Sequence, residues 1–133
     1  MRYTVAQSDN TGCDVLFKLT GGTESSHKYI QSLGIKDVSI KYSERQMHSN
    51  WNYQFKNWTT PLAATELLKK FNNREILSQA SYDFLWKTLA ETTTGAKRLK
   101  GKLPAGTVVA HKTGTSGADD KGLSAATNDI GII

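Results

Sequence analysis

The string His111-Lys112-Thr113-Gly114-Thr115-Ser116-Gly117 constrains this chain most. It follows the apolar run Val108-Val109-Ala110 and precedes the turn-rich Ala118-Asp119-Asp120-Lys121-Gly122, so it reads as a strand entering an antiparallel hairpin. A strand alternates its faces, which sends Lys112 and Ser116 one way and Thr113 and Thr115 the other, with Gly114 bare between them. Small residues there let a ligand approach the backbone. A cation, several hydroxyls and main-chain N–H groups along one edge suit an anion and the oxygen of a carbonyl under attack. An ordinary edge strand guarded by a lysine has the same pattern. The string alone leaves both readings open.

The rest of the chain supplies helices. A cap at Ser8-Asp9-Asn10 followed by Val15, Leu16, Phe17 and Leu19 predicts a helix stopped by Gly21-Gly22. A second helix is expected from Thr23 to Gly34, burying Tyr29, Ile30 and Leu33. Thr60-Pro61 pairs a cap with proline at the first helical position. It opens a helix with Leu67, Leu68 and Phe71 inward and Glu66 paired to Lys70. Another begins near Ser78, carries Phe84, Leu85 and Leu89 on one face, and ends by Thr92-Thr93-Thr94-Gly95. Residues 1–133 therefore read as a single α+β unit, mainly helical over 1–106 and a β-hairpin over 107–133.

The segment from Lys41 to Thr59 has neither helical nor strand periodicity, yet it gathers Trp51, Tyr53, Phe55 and Trp58 with Glu44 and His48. A loop that long inside a compact domain is usually functional, and its aromatics predict that it packs as an ordered excursion. A surface loop pinned by a few aromatics is the plainer alternative.

Charge and cysteine content narrow the function classes. The net charge of +5 comes from scattered lysines and arginines and carries no nucleic-acid signature. No apolar run approaches membrane-spanning length. One cysteine, Cys13, excludes an internal disulfide and reads as a small buried hydrophobe. Three histidines without compact spacing give no metal site, and no cofactor is expected. The start has no cationic head before an apolar core, and Ile130 to Ile133 stops in mid-strand, so the chain reads as part of a longer one.

Order and spacing join the separate groups. Glu44 and Lys112 follow Ser8 by 36 and 104 residues. With Gln7-Ser8-Asp9-Asn10, Glu44-Arg45-Gln46-Met47-His48, Asn57-Trp58, Thr92-Thr93-Thr94-Gly95, Arg98-Leu99-Lys100-Gly101, Leu103-Pro104 and the His111 to Gly117 string, the chain resembles class A serine β-lactamases along nearly its whole length. The likeness is to their extended-spectrum branch.

That resemblance implies a truncated serine β-lactamase/D,D-peptidase-like fold and a role for each matched residue. Glu44 matches the general base on the deacylating water, and His48 a residue that helps hold that water. Ser8 matches the hydroxyl that passes a proton to the departing lactam nitrogen, in the field of Lys112. Asn10 matches the side chain that binds the substrate's amide carbonyl, while Asp9 is structural. Lys112 and Thr113 match the residues that hold the substrate carboxylate, with Arg98 reinforcing and Ser116 adding a hydroxyl. Thr115 matches the donor of one oxyanion N–H.

Two departures accompany the likeness. Tyr42 and Asn57 stand where many class A enzymes carry an arginine and aspartate pair that pins the long loop. The nucleophilic Ser-x-x-Lys pair is expected outside these residues, because Ser78 and Ser81 lack the lysine and Ser26-His27-Lys28 has the wrong spacing. The parent is then expected to be a secreted, periplasmic monomer that hydrolyses β-lactams through an acyl-serine, with this fragment inactive alone. A penicillin-binding D,D-peptidase is the alternative within the chemistry, and a non-catalytic basic binding module the alternative outside it.

Overall fold

Side-chain caps start four of the six α-helices, the exceptions being the first and the third, which follow Met1 and Gly22. The computed structural model describes residues 1–133 and opens with a short helix, α1 (Arg2–Ala6). Asp9 then accepts from the Gly12 N–H at 2.6 Å to start α2 (Asn10–Leu19). After Gly21-Gly22 comes α3 (Thr23–Ser32). Thr60 caps α5 (Pro61–Asn72) and Ser78 caps α6 (Gln79–Ala90), each through its hydroxyl. A capping residue satisfies one of the orphan N–H groups of the first turn, typically about 1 kcal/mol of helix stability.

Between α3 and α5 the chain is more regular than its sequence pattern predicts. Val38–Ser39 (β1) pairs antiparallel with Trp58–Thr59 (β2), closing an excursion. Inside it lie α4 (Glu44–Ser49) and a 3₁₀ segment, Trp51–Lys56. Ser43 and Gln46 form a reciprocal capping box at the start of α4. Tyr42 and Tyr53 stack with ring centroids 4.0 Å apart, and Trp51 meets Phe55 edge-on. A second 3₁₀ segment, Leu99–Lys102, precedes the hairpin of β3 (Ala110–Thr115) and β4 (Thr127–Ile132). The pairing is antiparallel, with Lys112 opposite Ile130 and Thr113 opposite Asp129.

The base of this hairpin is the centre of the core, where Val109, Ala110 and His111 are each only 1% exposed. α6 packs on β3, α1 packs on α6, and α5 reaches β4. Phe71, Tyr82 and Trp86 join α5 to α6 as an aromatic cluster, with Phe71 and Tyr82 rings 4.9 Å apart.

Three packing expectations fail. Tyr29 is half exposed, its hydroxyl reaching only the Ile76 carbonyl at 3.5 Å, and Ile30 and Leu33 are only half-buried. Phe84 is 49% exposed, because α6 turns Tyr82 and Thr88 inward instead. Glu66 makes no ion pair with Lys70, whose ammonium lies 3.6 Å from Glu75 beyond the helix end. In each case an apolar or charged stripe reads the helical period correctly but not which side meets the core.

Candidate active site

Two threonines bring α1 and β3 together. The buried Thr92 hydroxyl donates to the His111 carbonyl at 2.8 Å, and the next residue, Thr93, donates its N–H to the Ala6 carbonyl at 3.0 Å. The α6 exit thus ties α1 to β3, setting Ser8, two residues past Ala6, beside Lys112, one residue past His111. The Lys112 ammonium donates to Ser8 Oγ at 2.7 Å and to the Thr113 carbonyl at 2.6 Å. Ser8 holds a left-handed backbone, φ 58°, in the turn between α1 and α2. That conformation is costly for a residue with a Cβ and marks sites where geometry outweighs local comfort.

Glu44 begins α4, and Asp14 of α2 fixes where it sits. The Asp14 carboxylate accepts the Glu44 N–H at 2.8 Å and the Arg45 N–H at 3.0 Å, one oxygen each. Sequence reasoning misses Asp14, since one acid in an amphipathic helix carries no signal of its own. Burial pushes the Glu44 carboxyl above its ordinary range and the Asp14 charge adds to this, while the Lys112 ammonium opposes it. Burial in turn lowers the Lys112 ammonium from the usual lysine value, opposed by the charges of Glu44 and Asp129. The two groups therefore share one partly desolvated space.

Asn57 closes the excursion that carries Glu44. Its side-chain oxygen accepts from the Lys41 and Tyr42 N–H groups at 2.8 and 3.0 Å, and its amide donates to the Tyr42 carbonyl at 2.7 Å and to Met47 Sδ at 3.3 Å. A neutral amide thus ties the two ends of the loop together, with Tyr42 contributing its backbone and a stacked ring. Between this loop and β3 runs a cleft of about 460 Å³, lined among others by Asn10, Glu44, His48, Trp51, Thr115 and Asn128. His48 lies one helical turn after Glu44, so both face the cleft.

Lys112 and Thr113 leave opposite faces of β3. Thr113 is 7% exposed and shares a 2.7 Å hydroxyl–hydroxyl hydrogen bond with Thr94. On that same face Arg98 donates to the Gly114 and Asn128 carbonyls at 3.0 and 2.6 Å and to Thr115 Oγ1 at 2.6 Å. The guanidinium therefore lies along the strand, bridging β3 and β4. A Cβ at Gly114 would fall 2.5 Å from the Asn128 side-chain oxygen, so a side chain there would displace the Asn128 amide. The Ser116 hydroxyl accepts the Ala126 N–H at 2.9 Å and bonds Ser124 Oγ at 2.9 Å, holding the neck of the hairpin.

Other groups stand outside this constellation. One Ser-x-x-Lys string does occur, Ser25-Ser26-His27-Lys28, contrary to the expectation that none lies within these residues. It lies on α3, where Lys28 pairs with Glu24 at 2.7 Å on the exposed side, and none of its residues lines the cleft. Cys13 is half-buried rather than fully buried, and its thiol is pushed up to about 11 by burial and by the charges of Glu44 and Asp14. No group of three or more His, Cys, Asp or Glu side chains converges as a metal site would. No helix is long and apolar enough to cross a membrane.

Comparison with known proteins fits this arrangement. A family model described as "Beta-lactamase enzyme family" matches residues 1–133. The chain is 55% identical to Beta-lactamase VEB-1 of Pseudomonas aeruginosa, covering 100% of this chain and 45% of that one. It is also 55% identical to the Extended-spectrum beta-lactamase PER-1 of Pseudomonas aeruginosa, covering 100% and 43%. The crystal structure of TLA-3 extended-spectrum beta-lactamase superposes with a TM-score of 0.96 at 61% identity, over 98% of this chain and 47% of that one. A class A beta-lactamase from Bacteroides cellulosilyticus gives 0.93 at 38% identity, over 98% and 47%. The chain spans less than half the length of these relatives. Matched along its whole length, and sharing the α+β fold of these structures, the chain belongs to the β-lactamase enzyme family, in its class A branch.

Proposed function

We propose that the protein containing this chain hydrolyses β-lactams through an acyl-serine intermediate, and that residues 1–133 supply its proton-transfer and anion-binding groups. The observation that carries this reading is the 2.7 Å contact from the Lys112 ammonium to Ser8 Oγ, with Glu44 in the same desolvated space. Because Lys112 donates to Ser8, the Ser8 hydroxyl proton remains available for the lactam nitrogen as the ring C–N bond breaks. The nucleophilic serine comes from a segment outside these residues. The Thr115 N–H faces the carbonyl oxygen as it becomes an oxyanion, where losing one donor costs about a hundredfold or more in rate.

Deacylation falls to Glu44. A carboxylate raised by burial is a stronger base toward a bound water, and His48, one turn along α4, is placed to hold that water. The water loses its proton to Glu44 as its oxygen bonds the acyl carbon, and as the acyl–serine C–O bond breaks that proton is passed on to the leaving serine oxygen, which returns Glu44 to its carboxylate. The substrate carboxylate lies along β3 between Lys112 and the Thr113–Arg98 side, and Asn10 meets the acylamino carbonyl at the cleft. Glu44 on a pinned loop favours this reading over a penicillin-binding D,D-peptidase, which lacks an efficient deacylating base. We place the parent in the periplasm as a monomer.

Nitrocefin turnover by the parent protein tests the reading. Turnover is expected there and not from residues 1–133 alone. A folded parent without turnover overturns the proposal, and hydrolysis by residues 1–133 overturns the placing of the nucleophile outside them.

A further inference from the structure

His111 takes no part in the chemistry described above, yet it is among the most enclosed side chains of the molecule. Its imidazole is 0% exposed and the Asp129 carboxylate beside it 4% exposed. His111 Nδ1 lies 2.8 and 3.0 Å from the two Asp129 oxygens. The ring sits opposite Gly131 in the hairpin, and the glycine is needed, because a Cβ at 131 would come 2.6 Å from His111 Cβ. β4 thus runs close against the backbone of β3 at the residue that carries this ring.

The carboxylate reaches further. Asp129 Oδ2 also accepts the Leu99 N–H at 3.3 Å, the peptide that follows Arg98. Arg98 is therefore held at two points: its guanidinium by the Gly114 and Asn128 carbonyls and Thr115 Oγ1, and its following peptide by Asp129. Without the imidazole, a buried carboxylate would keep a single weak donor and would turn toward water or toward the nearby cations, carrying the Arg98–Leu99 corner with it. The geometry points to His111 as a positioning residue that acts through Asp129 to hold the Arg98 guanidinium along the anion-binding face of β3.

The tautomer follows from the same contacts. His111 Nε2 is buried with no hydrogen-bond partner. A proton there would be a buried donor without an acceptor, whereas a proton on Nδ1 faces the carboxylate. These contacts place a proton on Nδ1 rather than on Nε2, the reverse of the tautomer that free imidazoles usually prefer. The Asp129 carboxylate also acts on Lys112 across the strand, where it favours the ammonium.

This inference rests on the hydrolytic reading for its kinetic arm only. In the parent protein, His111→Leu is expected to raise KM for a carboxylate-bearing β-lactam about tenfold, the worth of one hydrogen bond to a charged group, with kcat within about twofold. His111→Asn, whose amide can stand in for Nδ1–H, is expected to restore KM to within about threefold. If His111→Leu lowers Tm but leaves KM unchanged, the role is structural only and the proposal is overturned. Ring nitrogen shifts from 15N-labelled histidine in the wild-type parent protein test the same idea without turnover and without a variant that must fold. A protonated Nδ1 and bare Nε2 are expected, and a proton on Nε2 overturns the assignment. If the wild-type parent turns over no β-lactam, the hydrolytic reading fails, and these shifts still decide for His111.

Discussion

Ser8 Oγ and Lys112 Nζ, 104 residues apart in the chain, lie 2.7 Å apart in the fold. Ser8 meets the lysine from a left-handed backbone that glycine adopts freely. Ser8→Gly therefore separates strain from chemistry. The variant parent is expected to melt no lower than the wild type while kcat/KM for nitrocefin falls about a hundredfold, within the range for losing a positioned proton donor. Unchanged kcat/KM in a folded Ser8→Gly variant would remove Ser8 from the proton path.

Thr92 is the latch behind that contact. It is 6% exposed, and its hydroxyl is the donor to the His111 carbonyl. Thr92→Val keeps shape and leaves that carbonyl unpaired in the core, at a cost of about 1–3 kcal/mol. Urea denaturation should show that loss with an unchanged m-value, and the Ser8–Lys112 contact should loosen, lowering kcat/KM more than a surface threonine variant such as Thr65→Val. Equal stability would mean that the α6 exit does not fix the register of α1 against β3.

Asp14 decides where α4 begins. Its two oxygens take the first two N–H groups of a helix only six residues long, which has no length to be stable by itself. Asp14→Ala is expected to cost about 0.5–2 kcal/mol, as loss of a helix cap does. Amide exchange should rise over residues 43–49 before it rises in α5 or α6. In the parent, acyl-enzyme visible by mass spectrometry should accumulate, since Glu44 loses its seat while Ser8 and Lys112 keep theirs. Exchange rising uniformly along the chain would show that Asp14 supports the whole fold rather than Glu44.

These contacts show what sequence reasoning reaches and where it stops. Caps at Asp9, Thr60 and Ser78 place α2, α5 and α6, because a side-chain oxygen three residues before an N–H is local information. The hairpin follows equally from an apolar run beside a turn. The excursion around Glu44 is not legible as helix and 3₁₀ segment. Apart from the Ser43 capping box, its order comes from Asp14 thirty residues upstream, from the Asn57 amide and from the Tyr42–Tyr53 stack. The residue types of the site are legible, but their division between the two faces of β3 is sharpened only by Thr94 and Arg98, whose contacts cross the chain. The Thr92 latch leaves no trace, since a buried threonine hydroxyl looks like any other threonine.

Cys13 reports on the same enclosed space. Its thiol is pushed up to about 11 from 9.0, first by burial and then by Glu44. A thiol that holds its proton so firmly has about a hundredfold less thiolate at pH 8 than a free one, and the thiolate is the reacting form. Iodoacetamide is expected to label the native chain at least about a hundred times more slowly than the fully unfolded chain in urea. Labelling at the unfolded rate in native buffer would mean that α2 does not press this thiol against the Glu44 region.

Glu44 carries the last test, in which stability and activity move in opposite directions. Its carboxyl is raised in the folded chain by burial and by the Asp14 charge. A raised carboxyl contributes its stability fully below the unfolded value and loses it as pH climbs through the folded one, so the ionised form weighs against folding at neutral pH. Glu44→Gln removes that charge. Its Tm should match the wild type near pH 4 and exceed it by about 2 °C at pH 7, a modest gain because the group is half exposed. In the parent, the acid limb of the pH–rate profile should lie above the ordinary carboxylate range, and Asp14→Asn should move it down by removing the neighbouring charge. Glu44→Gln should leave the acyl-enzyme standing. A Glu44→Gln variant that is no more stable at pH 7 than at pH 4, relative to wild type, would show that the carboxyl is solvated and owes nothing to the pocket that α2 and β3 build around it.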